Sequence, residues 1–350
     1  MDLATDPSTL ARRLTQIGHR AGLDRVGIAG IDTFATVRSS IEDRVASGMS
    51  GGLTFTFNHP ERSTDITQSL PWARSLVVGG KAYLPEAGSP AATVSRTGRI
   101  ARFAERDHYR PLRSALGEIA AALEAAGHRS EVVCDDNRLV DRAAAVRAGV
   151  GWWGKNTMVI APGHGPWMLL GTVVTDAHVE ASEPMRRDCG TCDACIPACP
   201  TGALVAPGVL DARRCLAALL QQPGSIPTEF RAAVGDRIYG CDDCLEACPP
   251  GGRLLDSVGS TRGRVSIEYI LTASDAELLD HFDRFYLPRR RPGILRRNAL
   301  VAAGNSGDVE LAALVTSYLT HPDPVLVEHA AWARECLVGS GAGQPAPSGK

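Results

Sequence analysis

Seven cysteines fall in two runs that narrow the possible folds sharply. The first run is Cys189-x-x-Cys192-x-x-Cys195-x-x-x-Cys199-Pro200, and the second is Cys241-x-x-Cys244-x-x-x-Cys248-Pro249. The first spacing is that of bacterial ferredoxins. Three thiolates wrap three iron corners of one [4Fe–4S] cubane, and the fourth turns away to ligate the other cluster. Two cubanes take four thiolates each. The two runs supply seven, and Cys215 between them is the natural eighth. The crossover then assigns Cys189, Cys192, Cys195 and Cys248 to cluster one, and Cys199, Cys215, Cys241 and Cys244 to cluster two. Paired C-x-x-C motifs also bind zinc, but a zinc site has no need of the long first run. Cys134 and Cys336 remain, and both read as core residues.

Clustered cysteines mean metal or redox chemistry where disulfides are not maintained. No apolar run approaches the roughly 18 residues of a membrane span, and the N-terminus lacks a signal-peptide layout. A cytoplasmic protein with no membrane contact is expected. Net charge is −2 across 350 residues, so bulk charge does not attract polyanions. Six arginines nevertheless crowd the stretch from Arg284 to Arg297. They read either as a solvated face or as a phosphate-contacting patch. Two neighbouring clusters form a short electron wire, which needs a terminal acceptor. No G-x-G-x-x-G opens a βαβ unit, so the acceptor is another cofactor or a partner protein.

The first half of the chain reads as α/β. Leu10, Leu14, Ile17 and Ala21 recur at helical spacing. Strands are expected at RVGIAGI, at SLVVGGKAY from Ser75, at Glu131 to Cys134, and from Trp167. Helices are expected over Phe34 to Val45, from about Pro111 to Ala126, and up to about Ala148. Three helical segments after Ser266 resemble a HEAT-type repeat. The predicted organisation is a domain over 1–180, a cluster module over 181–265, a helical cap over 266–338, and a disordered tail over 339–350.

The stretch from Asp135 to Arg142 follows a strand, where open α/β sheets place ligands. The glycines and tryptophans of Gly149 to Thr157 can wall off a planar ligand, with Lys155 and Asn156 as donors. Asp135 could equally cap the next helix, and Trp152 and Trp153 could be plain core.

Several longer segments then point one way. They are RAGVGWWGKNT from Arg147, CPTGA from Cys199, LDARRC from Leu210, IPTEFR from Ile226, YGCDDC from Tyr239, and LRRNALVAAGN from Leu295 followed by HAAWA. On these the chain resembles the cobalamin-dependent epoxyqueuosine reductases over nearly its whole length. The resemblance implies an α+β multidomain fold: a nitroreductase-like α/β cobalamin domain, a two-cluster ferredoxin-like module, and C-terminal HEAT-like helical repeats. It also implies base-off cobalamin beside the two [4Fe–4S] clusters. Asp176-Ala177-His178 begins a cobalamin-histidine motif, but Ala181 stands where glycine is needed.

By resemblance, Asp135 opens a D-x-x-P-x-x-E-R motif and is the proton donor. Here Arg138 replaces proline and Asp141 replaces glutamate. Cofactor contacts are implied for Arg62, Asp135, Lys155, Asn156 and Asp242. The segment RFAERDHYR from Arg102 departs from the family pattern. The implied reaction is reduction of epoxyqueuosine to queuosine at the tRNA wobble position, the last step of queuosine biosynthesis. Electrons would come from a flavodoxin- or ferredoxin-type donor, and the protein would be a monomer. Arg289, Arg290, Arg291, Arg296 and Arg297 are the expected tRNA contacts. Rival readings are an electron carrier of polyferredoxin type and a corrinoid reductase acting on a small molecule. The arginine-bearing cap and the lack of a twin-arginine signal favour the tRNA enzyme.

Overall fold

The computed structural model describes residues 6–84, 95–258 and 263–340. Its main sheet has four strands in the order Arg25–Gly30, Ser75–Ala82, Met168–Thr175, Ser130–Val133. Every pairing is antiparallel. This corrects one expectation: the rule that places ligands at the carboxyl ends of open parallel sheets does not apply here. The end of Ser130–Val133 becomes a site because of what packs against it.

Strand alternation builds two apolar faces. Val77 and Val173 meet the helices Pro7–Arg20 and Tyr109–Ala125 through Leu14, Leu116 and Ile119. Leu76, Val78 and Val174 meet the helix Asp141–Arg147 through Ala143, Ala144 and Ala145. Small residues let that helix come very close. A Cβ at Gly27 would lie 2.0 Å from the Ala148 carbonyl oxygen, so only glycine fits there. The first helix is capped by Asp6, whose carboxylate accepts from Thr9 N–H at 3.0 Å.

The chain from 188 to 251 is mostly turns and short helices. A second sheet ties it to the rest. Thr97–Ile100 sits between Arg237–Tyr239 and Arg264–Ser266, so a strand from the N-terminal half is embedded beside the cysteine loops. The C-terminal helices Gly293–Ser306 and Pro324–Ser340 form a third core with Leu300, Ala303, Leu326 and Ala333, which also takes in Ile100 and Tyr239. The last helix runs to Ser340, so residues 339 and 340 are helical and not part of the expected tail. Residues 341–350 lie outside those described. Among the described residues, no helix is long and apolar enough to cross a membrane.

Candidate iron–sulfur and acid site

None of the ten cysteines, all among the described residues, is in a disulfide. Cys248 is pushed up first by burial, and then by the neighbouring thiols of Cys189, Cys195 and Cys192. Cys244 is likewise raised by burial, with Cys241, Cys215 and Cys199 as its nearest thiol neighbours. Thiols of both runs thus lie in one neighbourhood, and Cys195 of the first run also acts on Cys244. Among the described residues, no three His, Cys, Asp or Glu side chains close on one metal-ion position. A cubane takes its thiolates around its periphery and needs no such convergence.

The place of Cys215 beside Cys199 has a local cause. Arg214 donates from Nε and Nη2 to the Thr201 carbonyl at 2.9 and 2.7 Å. Thr201 Oγ1 returns a bond to the Arg214 carbonyl at 2.6 Å. This reciprocal staple holds residue 215 against the first run. Cys215 also opens the helix Leu216–Gln221, and the N–H groups of Ala218 and Ala217 favour its thiolate against burial. Ala203 N–H donates to Cys199 Sγ at 3.1 Å. Such donors stabilise the anionic sulfur that iron requires.

Lys155 and Asn156 belong to the same framework. Lys155 Nζ donates to the Gly190 carbonyl at 2.8 Å, fixing the first cysteine loop. Asn156 is 2% exposed. Its Nδ2 donates to the Cys244 carbonyl at 3.2 Å, and its Oδ1 accepts from Met158 N–H at 3.1 Å. This corrects the expectation that Asn156 offers its amide to a cofactor: the amide is buried and engaged with backbone. Asp242 is corrected in the same way. It is buried, accepts from Arg102 N–H at 2.8 Å, and faces the Arg102 guanidinium at 3.7 Å. Burial pushes its carboxyl up to about 6 against the pull of Arg102. Arg102, buried over Trp167 and paired with Glu246 at 2.5 Å, is a cornerstone that the degraded RFAERDHYR segment concealed.

Asp135 follows the strand Ser130–Val133 with φ +55. Aspartate tolerates the left-handed region better than most residues, though at a cost that marks functional sites. The turn beyond it is fixed from two sides. Ser63 Oγ donates to the Asn137 carbonyl at 2.6 Å, and Val140 N–H donates to the Ser63 carbonyl at 3.0 Å. Arg62, beside Ser63, is exposed, donates to Ser69 Oγ at 2.9 Å, and sends its charge toward Asp136. Arg138 reaches Glu131 at 2.6 Å and grips Asp136.

The three carboxyls of this turn thus differ. The Arg138 bonds hold Asp136 below the usual carboxylate range. Burial holds Asp135 above it, opposed by Arg113 and reinforced by Asp136. Burial raises Asp141 strongly, and the charge of Asp135 adds to that. Water reaches Asp135 and Arg142 although protein packs densely around both. That combination describes a recess. Tyr109 and Tyr239 face Asp135, and Arg142 faces Tyr109, Asp141, Tyr83 and Cys244. Arg142 thus stands near both the carboxyls and Cys244. Trp152 is half-buried and Trp153 is 40% exposed. Sequence reasoning passed over Tyr109, Arg142 and Tyr239, for which the last two letters of D-x-x-P-x-x-E-R and the YGCDDC opening were the available signals.

The arginine stretch divides. Arg289, Arg290 and Arg291 are exposed, with no side-chain hydrogen bond to other described residues, and the first two have φ +54 and +51. Arg290, Arg291 and Arg296 line a concavity of about 630 Å³ together with Tyr318 and His321. Arg296 is half-buried and paired with Asp275 at 2.5 Å. Arg297 corrects the expectation: it is 2% exposed. It donates to the carbonyls of Leu219 and Gln222 at 2.8 Å and Gly224 at 2.5 Å. A guanidinium so enclosed cannot meet a phosphate.

Comparison with known proteins follows this geometry. The family described as 4Fe-4S double cluster binding domain matches residues 188–251. The chain is 31% identical to the epoxyqueuosine reductase of Xanthomonas campestris pv. campestris, across 94% of this chain and 96% of that one. A solved epoxyqueuosine reductase with a tRNA-Tyr epoxyqueuosine-modified stem loop superposes with a TM-score of 0.85 at 28% identity, covering 97% of this chain and 95% of that one. The Bacillus subtilis enzyme, solved with its catalytic aspartate loop swung out of the active site, gives a TM-score of 0.84 at 28% identity, covering 94% and 90%.

Proposed function

The chain belongs to the epoxyqueuosine reductase family, and we infer from that premise how its residues reduce epoxyqueuosine to queuosine at the wobble position of tRNA. The observation that carries the reading is Asp135: a carboxyl raised by burial, reached by water, in a recess that opens onto Cys244 of cluster two. A general acid needs a pKa raised above the ordinary carboxylate value and access to the substrate.

We read the cofactor as cobalamin in its base-off form, supported by the family resemblance and by two buried nitrogens left without partners. His108 Nε2 and Trp152 Nε1 are buried side-chain nitrogens without hydrogen-bond partners among the described residues, and a corrinoid fringed with amides suits such atoms. Bound there, it would supply a low-valent metal that takes electrons singly and delivers them to a carbon centre. The protein's own part is separable. The two thiol quartets hold the clusters, Arg102 and Asn156 lock the cluster loops against the α/β domain, and the walls restrict water. Asp135 delivers a proton to the epoxide oxygen as its bond to carbon breaks.

The tRNA enters through the relative's stem-loop complex and through Arg289, Arg290 and Arg291, whose free guanidiniums suit phosphates. Arg296 borders the same concavity while tied to Asp275. The helices after Ser266 are read as a HEAT-like cap, the first 180 residues as a nitroreductase-like domain, and the electron donor as a small flavodoxin- or ferredoxin-type protein. Single-turnover conversion of an epoxyqueuosine stem loop under strong reductant tests the core of this. Asp135→Asn should keep both clusters and lose about 10²- to 10⁴-fold in rate. A parental rate would remove Asp135 from its role.

A further inference from the structure

Reducing an epoxide to an alkene breaks two C–O bonds and forms one C=C bond. The carbons take two electrons, and the oxygen leaves as water carrying two protons. The electrons come singly from the donor protein through the clusters. Asp135 holds one proton at a time, so a second must arrive within each turnover.

The first residue of the helix Asp141–Arg147 supplies a candidate. Asp141 lies one turn of chain beyond Asp135, whose backbone N–H is directed at its carboxyl group. Asp141 Oδ1 is buried with no hydrogen-bond partner among the described residues. A buried oxygen left unpaired costs far more on a charged carboxylate than on a neutral carboxylic acid. The first turn of a helix ordinarily favours the anion, so the missing partner is informative. The other groups facing Asp141 are Asp136, Arg142, the Tyr109 hydroxyl and the Cys134 thiol. Arg142 is the one cation among these, and it also faces Cys244 and donates to the Thr157 carbonyl at 3.3 Å. Asp136 is fully engaged by Arg138.

We propose that Asp141 stores the second proton and passes it to Asp135, so that one carboxyl pair serves both O–H bonds formed in each turnover. The first proton goes from Asp135 to the oxygen as the ring opens to a hydroxyl. Asp141 then re-protonates Asp135, which protonates that hydroxyl as it departs as water. Asp141 regains its proton from solvent afterwards. The glutamate that related sequences carry at this place extends the same acid by one methylene. The idea rests on the reading of Asp135 as donor to an epoxide.

The test uses the cluster-loaded, cobalamin-bound chain with an epoxyqueuosine stem loop. Infrared difference spectra at pH 7 should contain a protonated-carboxyl band that Asp141→Asn lacks. Absence of that band in the parent overturns the proposal whatever the variants do. In single turnover, Asp141→Asn should lose about 10²-fold, and its residual rate should rise about tenfold for each unit fall in pH as solvent replaces the stored proton. Asp141→Glu should retain the parental profile. A parental rate in Asp141→Asn, or a deficit that does not vary with pH, overturns it. Asp135→Asn separates the two ideas. If that variant is fast, the reading of the site falls and this one with it. If it is slow while Asp141→Asn is fast, only the second-proton proposal falls.

Discussion

Arg138 grips Asp136 like a fork, with Nε 3.0 Å from each carboxylate oxygen and Nη2 2.7 Å from Oδ2. The turn thereby gains from an ion pair the stiffness that a proline ring supplies in the resembling motif. Arg138→Ala should leave tRNA affinity intact and slow single turnover by roughly 10- to 100-fold, the scale of an ångström-level misplacement. Arg138→Pro should recover most of that loss. Equal rates for parent and Arg138→Ala would show that the fork does not aim Asp135.

Asp135 acts as an acid only while protonated. Since burial raises its pKa, the turnover rate should fall as pH climbs through that raised value. Folding stability shares the sign. The folded chain holds this proton more tightly than the unfolded chain, so stability also declines as pH rises. Asp135→Asn should therefore be slow at every pH and should flatten the decline in stability between the ordinary carboxylate pKa and the raised value. Asp136→Asn should move the Asp135 curves to lower pH, because the Asp136 charge helps to raise that carboxyl, and should remove the acid-side stability that Arg138 gives to Asp136.

Iron and sulfide analysis of anaerobically prepared protein should give about eight of each per chain. Cys215→Ala should reduce this to about four, because one quartet loses a corner. Arg214→Ala removes the staple to Thr201 and should make the same cluster labile to oxygen before the other. Retention of both clusters in Cys215→Ala would transfer the eighth ligand elsewhere.

The arginines separate by burial. Replacing Arg289, Arg290 and Arg291 together with alanine should weaken tRNA binding and reduce the salt slope by about 0.7 to 0.9 for each lost contact. The visible spectrum should not change. Arg297→Ala should instead destabilise the chain by about 1 to 3 kcal/mol, since it strips three part-buried carbonyls of their donor. A folded Arg297→Ala protein with weakened tRNA binding would reverse this division.

His329 is fully buried, accepting Ile226 N–H at Nε2 and facing the Val325 carbonyl at Nδ1. Burial lowers its pKa to about 4. The unfolded chain binds this proton near pH 6.5, so the neutral ring stabilises the fold above that value, and the benefit drains away as pH falls toward 4. The loss amounts to roughly 3 kcal/mol at most. Thermal melts of His329→Gln should lack this acid-dependent component.

The sequence by itself marked the candidate cluster ligands. Their spacing is a local property: three or four residues set how far apart neighbouring thiolates can stand, whatever the rest of the chain does. It also marked Asp135, because a motif of eight residues is equally local, and it placed most helices and strands through their apolar periods. Burial and partnership are different in kind. Arg291 and Arg297 look alike in a row of arginines. One is free, and the other donates to Leu219, 78 positions away. Asn156 looks like a ligand donor until the loop of Cys244, 88 positions on, takes its amide. The antiparallel sheet, the staple that brings Cys215 to Cys199, and the fork that fixes Asp136 were decided only by the tertiary structure. Each depends on which distant segment desolvates a polar group and pairs with it, and no local spacing records that choice.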